Sequence, residues 1–351
     1  MPVRTKISLL AVLSLMPGLG CDKIVALIND GAQAAANEAG GGLTGGPKTD
    51  DDRLGEKLQA YIDCINGPAT NISDSGKRYF DWIDDPKVGP TGKETSVYGL
   101  YEIRDTKPCL DGIAKAAELE PDDADLEAAA KAFADAVSTA APLMNEAYKY
   151  YDEDNYKDDK WAKAKELHPK LMAAIETFEG TNAKLREIVG NRNDALQERD
   201  LSRIEAEMGK TLMWHQRKIM VLSKKVMDTA DVEVAPEFKL DLAVFEPLVN
   251  ELETELSATE EYGKAHKEEL DSVTMYSSFQ SEAEEFKKIA KEVLRRKRDN
   301  QAFTKDDLER FASGPASWVE GSPAKLLDKY NSLVSRSNSL NYSFYKPAPK
   351  G

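Results

Sequence analysis

Histidine and cysteine are scarce in this chain, with three of each among 351 residues. So few soft ligands leave no basis for a four-cysteine zinc site or a disulfide-dense scaffold. Positive charge is the minority sign: 47 Lys and Arg stand against 62 Asp and Glu, a formal net charge of -15. Such a surface repels phosphate backbones, so nucleic acid is not an expected partner. No apolar run reaches the ~20 residues a helix needs to cross a bilayer. Strand–helix alternation and internal repeats are missing too. So are HExxH, G-x-S-x-G, Walker and dinucleotide-binding fingerprints. With no catalytic motif in view, the expectation is a non-enzyme without a cofactor.

What is present begins at the N-terminus. Arg4 and Lys6 form a short basic segment, Ile7 to Leu15 an apolar one, and Met16-Pro17-Gly18-Leu19-Gly20 lead to Cys21. This is the layout of an export signal, and small residues before a cysteine resemble the lipobox of bacterial lipoproteins. Gly20 fits the position before the cut, while Gly18 stands where Leu is usual. The expectation is a signal peptide over 1–20 and lipid on Cys21. An ordinary signal cut elsewhere, giving a plain soluble product, is the other reading. One acyl chain holds a membrane only marginally, and several make a stable anchor. From Asp22 to about Asp52 the chain turns to Gly, Ala, Asn and Asp, including Gly40-Gly41-Gly42. Residues 21–52 thus read as a lipidated cysteine and a flexible tether, reaching on the order of 30 Å.

If Cys21 carries lipid, Cys64 and Cys109 remain, and an oxidising compartment favours their pairing. Two buried free thiols are the alternative.

Residues 53–340 read as one helical domain. Leu54, Leu58, Tyr61, Ile62 and Ile65 share a helical face that Asn66-Gly67-Pro68 should end. Ser73 or Ser75 should open a second helix, and Val97 to Ile103 is a short strand or irregular. A long seam of Leu126, Ala130, Phe133, Val137, Ala140, Met144, Ala147 and Tyr151 follows, with a kink expected at Pro142. Trp161, Ala164, His168, Leu171, Ile175, Phe178, Leu185 and Val189 form a second, interrupted by Pro169, Gly180 and Gly190. Leu201 to Val226 form a third. Pro236 and Pro247 bracket the next helix, a seam from Phe279 to Val293 ends in Arg295-Arg296-Lys297-Arg298, and Ser322-Pro323 start the last helix. Residues 341–351 read as a frayed tail. Such helices bury their stripes against one another, predicting an all-α, elongated antiparallel bundle.

Candidate ligands are weak. Asp152 to Asp158 superficially matches a calcium loop, but Tyr156 and Lys157 stand where an oxygen ligand and a glycine belong. No Glu-x-x-His pair precedes His168, His215 or His266. His266 and Glu269, spaced i,i+3, are too few for a zinc site. His168 and His215 fall in seams, as core histidines with hydrogen-bond partners do. His168 with Asp158 and Asp159 is the one combination kept as a ligand candidate. The Arg295 cluster is either a solvated helix end, which suits the helix dipole, or a contact for anionic lipid.

Several strings resemble the YiiG-like family of bacterial lipoproteins: Ala60 to Asn66, Gly89-Pro90-Thr91-Gly92, Val97 to Tyr101, Tyr150 to Asp159, Leu167-His168 and Glu207 to Lys210. The resemblance spans about Leu54 to Leu340. It extends to a lipobox cysteine followed by an acid, here Cys21-Asp22, an arrangement that favours inner-membrane retention in enteric bacteria. It implies a helical periplasmic domain. It implies no activity, since the family is a domain of unknown function.

The leading expectation is therefore a membrane-tethered envelope lipoprotein that binds or scaffolds a protein partner. An envelope enzyme with a dispersed Asp/Glu/Tyr site, or a metal or small-ligand receptor, are the alternatives.

Overall fold

The computed structural model describes residues 48–230, 238–313 and 316–348. The fold is all-α, and the described residues contain no strand beyond two isolated bridges, Ala230 with Leu240 and Thr274 with Asn341. Helix α1 (Asp50–Cys64) opens on a capping box in which Thr49 and Asp52 satisfy each other's backbone N–H. Three aspartates in its first turn suit the positive end of the helix dipole.

The expected stop at Asn66-Gly67-Pro68 does not stop the chain. Ile65–Ala69 widens into a π turn and runs into α2 (Thr70–Asp81), which starts ahead of Ser73 and Ser75. A proline, lacking its N–H, costs least where a turn is already offset. The Ile65 carbonyl accepts from Thr70 Oγ1 at 3.3 Å and Arg186 Nη2 at 3.0 Å. The connection to α3 (Thr106–Ala116) has no regular structure, so Val97 to Ile103 is irregular rather than a strand.

Helix α4 (Ala124–Asp152) carries the first seam unbroken through Pro142, and α5 (Ala162–Met208) fuses the second seam with the start of the third through Pro169, Gly180 and Gly190. The two prolines are tolerated for a common reason. Pro142 and Pro169 lie on exposed faces, where the carbonyl each leaves unbonded is free to take water. The break comes instead at Gly209, whose φ of 79° only glycine tolerates easily. At 1.5 Å per residue the 47 residues of α5 span about 70 Å.

Beyond Gly209 run α6 (Leu212–Asp228), α7 (Leu242–Ala265), α8 (Lys267–Asp271), α9 (Tyr276–Arg298), α10 (Lys305–Ser313) and α11 (Pro323–Asn338). Ser322 caps α11 through Lys325 N at 3.1 Å, as its Ser-Pro start predicts. The seams bury into two large hydrophobic cores rather than one. The first draws on α1 to α4 and α5 as far as Val189; the second draws on α6, α7, α9 and α11. A small third cluster of Leu201, Ile204, Met213 and Trp214 seals the α5–α6 turn. Lys224 with Asp194 at 2.9 Å and Lys225 with Glu198 at 2.6 Å hold α6 antiparallel along α5.

The tail is not frayed as far as Ala348. Asn341 pairs with Thr274, Lys346 N donates to Ser272 Oγ at 3.1 Å, and Tyr342 and Tyr345 pack on the third cluster. Composition gave no sign of this because Thr274, Ser272 and the third cluster all lie far from the tail in sequence. The segments expected to be a signal peptide and a lipidated tether, Cys21 included, lie outside the described residues up to residue 47.

Candidate functional site

Cys64 closes α1, Cys109 sits in the first turns of α3, and the two form a disulfide across a sequence separation of 45. Both are buried. The free-thiol alternative is thereby set aside for this pair.

Four of the strings quoted for the family resemblance, Gly89 to Gly92, Val97 to Tyr101, Tyr150 to Asp159 and Leu167-His168, meet at the end of the first core where α2, the α2–α3 connection and the α4–α5 turn come together; Ala60 to Asn66 end α1, and Glu207 to Lys210 lie at the far end of α5. Tyr79 of α2 and His168 of α5 are both buried there. His168 Nε2 lies 2.9 Å from the Pro86 carbonyl and Nδ1 lies 2.9 Å from the Tyr79 hydroxyl. A carbonyl only accepts, so Nε2 carries the ring proton and Nδ1 accepts from Tyr79. Burial holds the imidazole below its ordinary range, with the Pro86 carbonyl opposing. Both nitrogens are committed, so His168 is a core histidine.

Around this pair lies a ring of aromatics. Trp82 lies 5.1 Å from Tyr151 and 6.3 Å from Trp161, and Tyr156 lies 4.6 Å from Trp161. The connecting loop fits only because it is glycine-rich. A Cβ on Gly89 would run into the His168 ring, and one on Gly92 would come within 2.9 Å of Trp161. Glu94 fixes the loop, accepting from Thr91 N at 2.6 Å and Gly92 N at 2.8 Å. Burial works to raise its carboxyl, but these N–H groups and the Thr91 hydroxyl hold it below the ordinary range. Across the ring Lys160 and Trp161 adopt positive φ of 52° and 68°. Left-handed side-chain residues cost on the order of 1–3 kcal/mol each and persist where packing over-determines them.

Asp159 belongs to this turn but not to His168. It accepts from Tyr150 Oη at 2.8 Å and Lys163 N at 2.9 Å, which starts α5. Burial tends to raise its carboxyl, yet the backbone and tyrosine donors keep it low. Asp158 is exposed on the same turn. The combination of His168 with Asp158 and Asp159 therefore does not assemble, because both histidine nitrogens are used inside the core, Asp159 is used at the start of α5 and Asp158 is exposed. Among the described residues no group of three or more His, Cys, Asp or Glu is placed to hold a metal.

Outward from Tyr79, Arg78 of α2 lies between two exposed tyrosines. Its Nε donates to the Tyr98 carbonyl at 3.1 Å, and its guanidinium carbon is 4.6 Å from the Tyr101 ring centroid and 5.8 Å from that of Tyr98. The segment carrying these tyrosines is clamped by side chains. Ser75 Oγ donates to the Tyr101 carbonyl and accepts from its N–H, Asn145 does the same for Ile103, and Trp82 Nε1 donates to the Gly99 carbonyl. Nothing in the spacing around Arg78 singles it out; the Val97 to Tyr101 string was the nearest signal.

The second core has its own polar centre. Glu269 is buried and accepts four hydrogen bonds: Leu212 N at 2.7 Å, Tyr345 Oη at 2.6 Å, Tyr262 Oη at 2.7 Å and Ala348 N at 3.0 Å. It caps α6 and receives the tail. His215 Nδ1 lies 2.6 Å from Glu255 Oε1, with the rings of Trp214 and Tyr262 against the imidazole. His266 and Glu269 do not share a helical face, because His266 is the break between α7 and α8. In the basic cluster, Arg296 donates to the carbonyls of Ala302 and Glu320, Lys297 to that of Phe238, and Arg298 pairs with Asp299. These cations tie down the chain around the end of α9, as a helix-end role requires.

A family model described as a protein of unknown function (DUF3829) matches residues 52–339. The chain is 33% identical to the uncharacterized protein YiiG of Escherichia coli (strain K12) over 288 residues, covering 81% of this chain and 78% of that protein. No solved structure matches it significantly. The family model thus spans the helical body from within α1 to the end of α11, and the chain belongs to the YiiG-like DUF3829 family.

Proposed function

We propose that the protein is an envelope lipoprotein, lipidated at Cys21, whose helical body serves as a binding or scaffolding element rather than an enzyme. The observation that carries the reading is the Cys64–Cys109 disulfide. Disulfides persist in exported proteins and are rare in a reducing cytosol. With those two paired, Cys21 is the third of three cysteines, and it stands after an apolar segment and small residues as a lipidation site does. The tether from Cys21 to about Asp52 holds a rigid body on a membrane surface, on the periplasmic side. No transmembrane helix is needed for this, and no described helix is long and apolar enough to cross a membrane. The scaffolding part of the reading is supported by the way the buried polar groups are used. Glu269, Asp159, His168 and Lys57 all serve helix starts, turns and loop carbonyls.

The test is a Cys21→Ala variant expressed in a bacterial host with labelled palmitate. Loss of label and a shift from the membrane to the soluble fraction are expected. A variant that stays membrane-bound refutes the anchor.

A further inference from the structure

We propose that Arg78, Tyr98 and Tyr101 form the docking site for a protein partner, and that the feature recognised is a single carboxylate flanked by apolar side chains. The proposal rests on the scaffolding reading for its biological sense, but its geometry stands alone.

Three observations carry it. Tyr98 and Tyr101 are half exposed, at 55% and 50%, on a segment anchored by the buried Leu100 and Ile103. The side-chain clamps from Ser75, Asn145 and Trp82 fix that segment, so the two rings are presented without further loss of backbone freedom on binding. Tyrosine and arginine displayed on a rigid support are the residue types that dominate protein interfaces.

The guanidinium selects the ligand. Nε is used on the Tyr98 carbonyl and Nη1 makes a long contact of 3.4 Å to Tyr101 Oη. Nη2 has no acceptor, and no carboxylate pairs with Arg78, among the described residues. What sets Arg78 apart is its place against the Tyr98 and Tyr101 rings, which gives a carboxylate both a cation of the matching sign and apolar faces beside it. An arginine held planar against aromatic rings presents its free edge for carboxylate. The net charge of -15 repels polyanions at a distance. That argues for one carboxylate among apolar neighbours, rather than an acid-rich strand, a nucleic acid or an anionic bilayer. The tyrosine faces then contact the neighbouring apolar side chains.

The test uses the full chain in detergent micelles and two capped peptides, acetyl-Val-Leu-Asp-Leu-Val-amide and its Asp→Asn counterpart. Binding is read by NMR from the Arg78 Nε–H resonance and the Tyr98 and Tyr101 ring signals. The expected result is saturable perturbation of those three residues by the Asp peptide, at least about tenfold tighter than by the Asn peptide. Arg78→Gln should abolish the preference. Arg78→Lys should restore little of it, because an ammonium offers no planar edge; unchanged thermal unfolding would show that both variants fold. Equal binding of the two peptides, a preference that survives Arg78→Gln, or no perturbation of Arg78 up to the solubility of the Asp peptide would each overturn the proposal. None of these outcomes depends on whether Cys21 is lipidated, so failure here is distinguishable from failure of the anchor.

Discussion

Removing the Cys64–Cys109 disulfide should destabilise one half of the molecule and spare the other. The bond closes a loop with a sequence separation of 45. In the chain-entropy model a loop of that size lowers the entropy of the unfolded chain by roughly 13 cal/mol/K, or about 4 kcal/mol at 25 °C. Both cysteines belong to the first core, whose buried residues run from Leu54 to Val189. The second core, from Leu212 to Val334, contains neither. For a unit of that size 4 kcal/mol corresponds to a fall of roughly 14 °C in midpoint. The assay is thermal unfolding of Cys64→Ala/Cys109→Ala, with hydrogen exchange locating the change. Early exchange should appear in α1, α3 and α4, while α7, α9 and α11 keep their protection. Reductant should reproduce the effect in the parent and leave the variant unmoved. A loss below about 1 kcal/mol would refute the reasoning for the pair, and equal loosening of both halves would refute the separation of the two cores.

Two further outcomes follow from buried polar groups. Glu269→Gln keeps the side-chain volume but removes the charge that four donors address, and should cost about 2–4 kcal/mol, with deprotection of the α6 start and of the tail by hydrogen exchange. Tyr345→Phe should cost about 1–2 kcal/mol and loosen the tail alone; unchanged tail protection would deny its docking. His168 sets an acid dependence. Its folded pKa lies below the ordinary value of about 6.5. Below about pH 6.5 the unfolded chain therefore binds a proton that the folded ring refuses. Stability from this group is full above that pH and falls as pH drops toward the lower folded value. Chemical unfolding between pH 7.5 and 5 should show that decline in the first core, and His168→Gln should flatten it. A parent whose first core gains stability over that interval would contradict the assignment.

Much of the helical content was legible in the pattern of apolar residues, because a stripe at helical spacing has to be buried somewhere. The positions of the breaks were not. Pro142, Pro169, Gly180 and Gly190 read as interruptions, yet the prolines fall on solvent faces where a missing N–H is cheaply tolerated. Sequence spacing does not tell which face will meet water. Pairing of Cys64 with Cys109 followed from counting, whereas the Glu269 centre did not, since its donors at Leu212, Tyr262, Tyr345 and Ala348 come from four separate stretches. His168 was placed correctly as a core histidine. Its joining with Asp158 and Asp159 failed because nearness in sequence said nothing of the partners each takes, Tyr79 and Pro86 for the histidine and Tyr150 and Lys163 for Asp159. Arg78 drew no notice, as an isolated arginine has no pattern; only its position between two displayed tyrosines marks it.

The length of α5 has a mechanical consequence. One uninterrupted helix is built into the first core by its N-terminal half and lies against α6 of the second core by its C-terminal half. The two halves of the molecule therefore share a single axle. A twist or tilt imposed where Trp161 seats one end is delivered to the Gly209 turn at the other with no joint between to absorb it. A partner seated beside Arg78 and a membrane pulling through α1 would then act on the same lever.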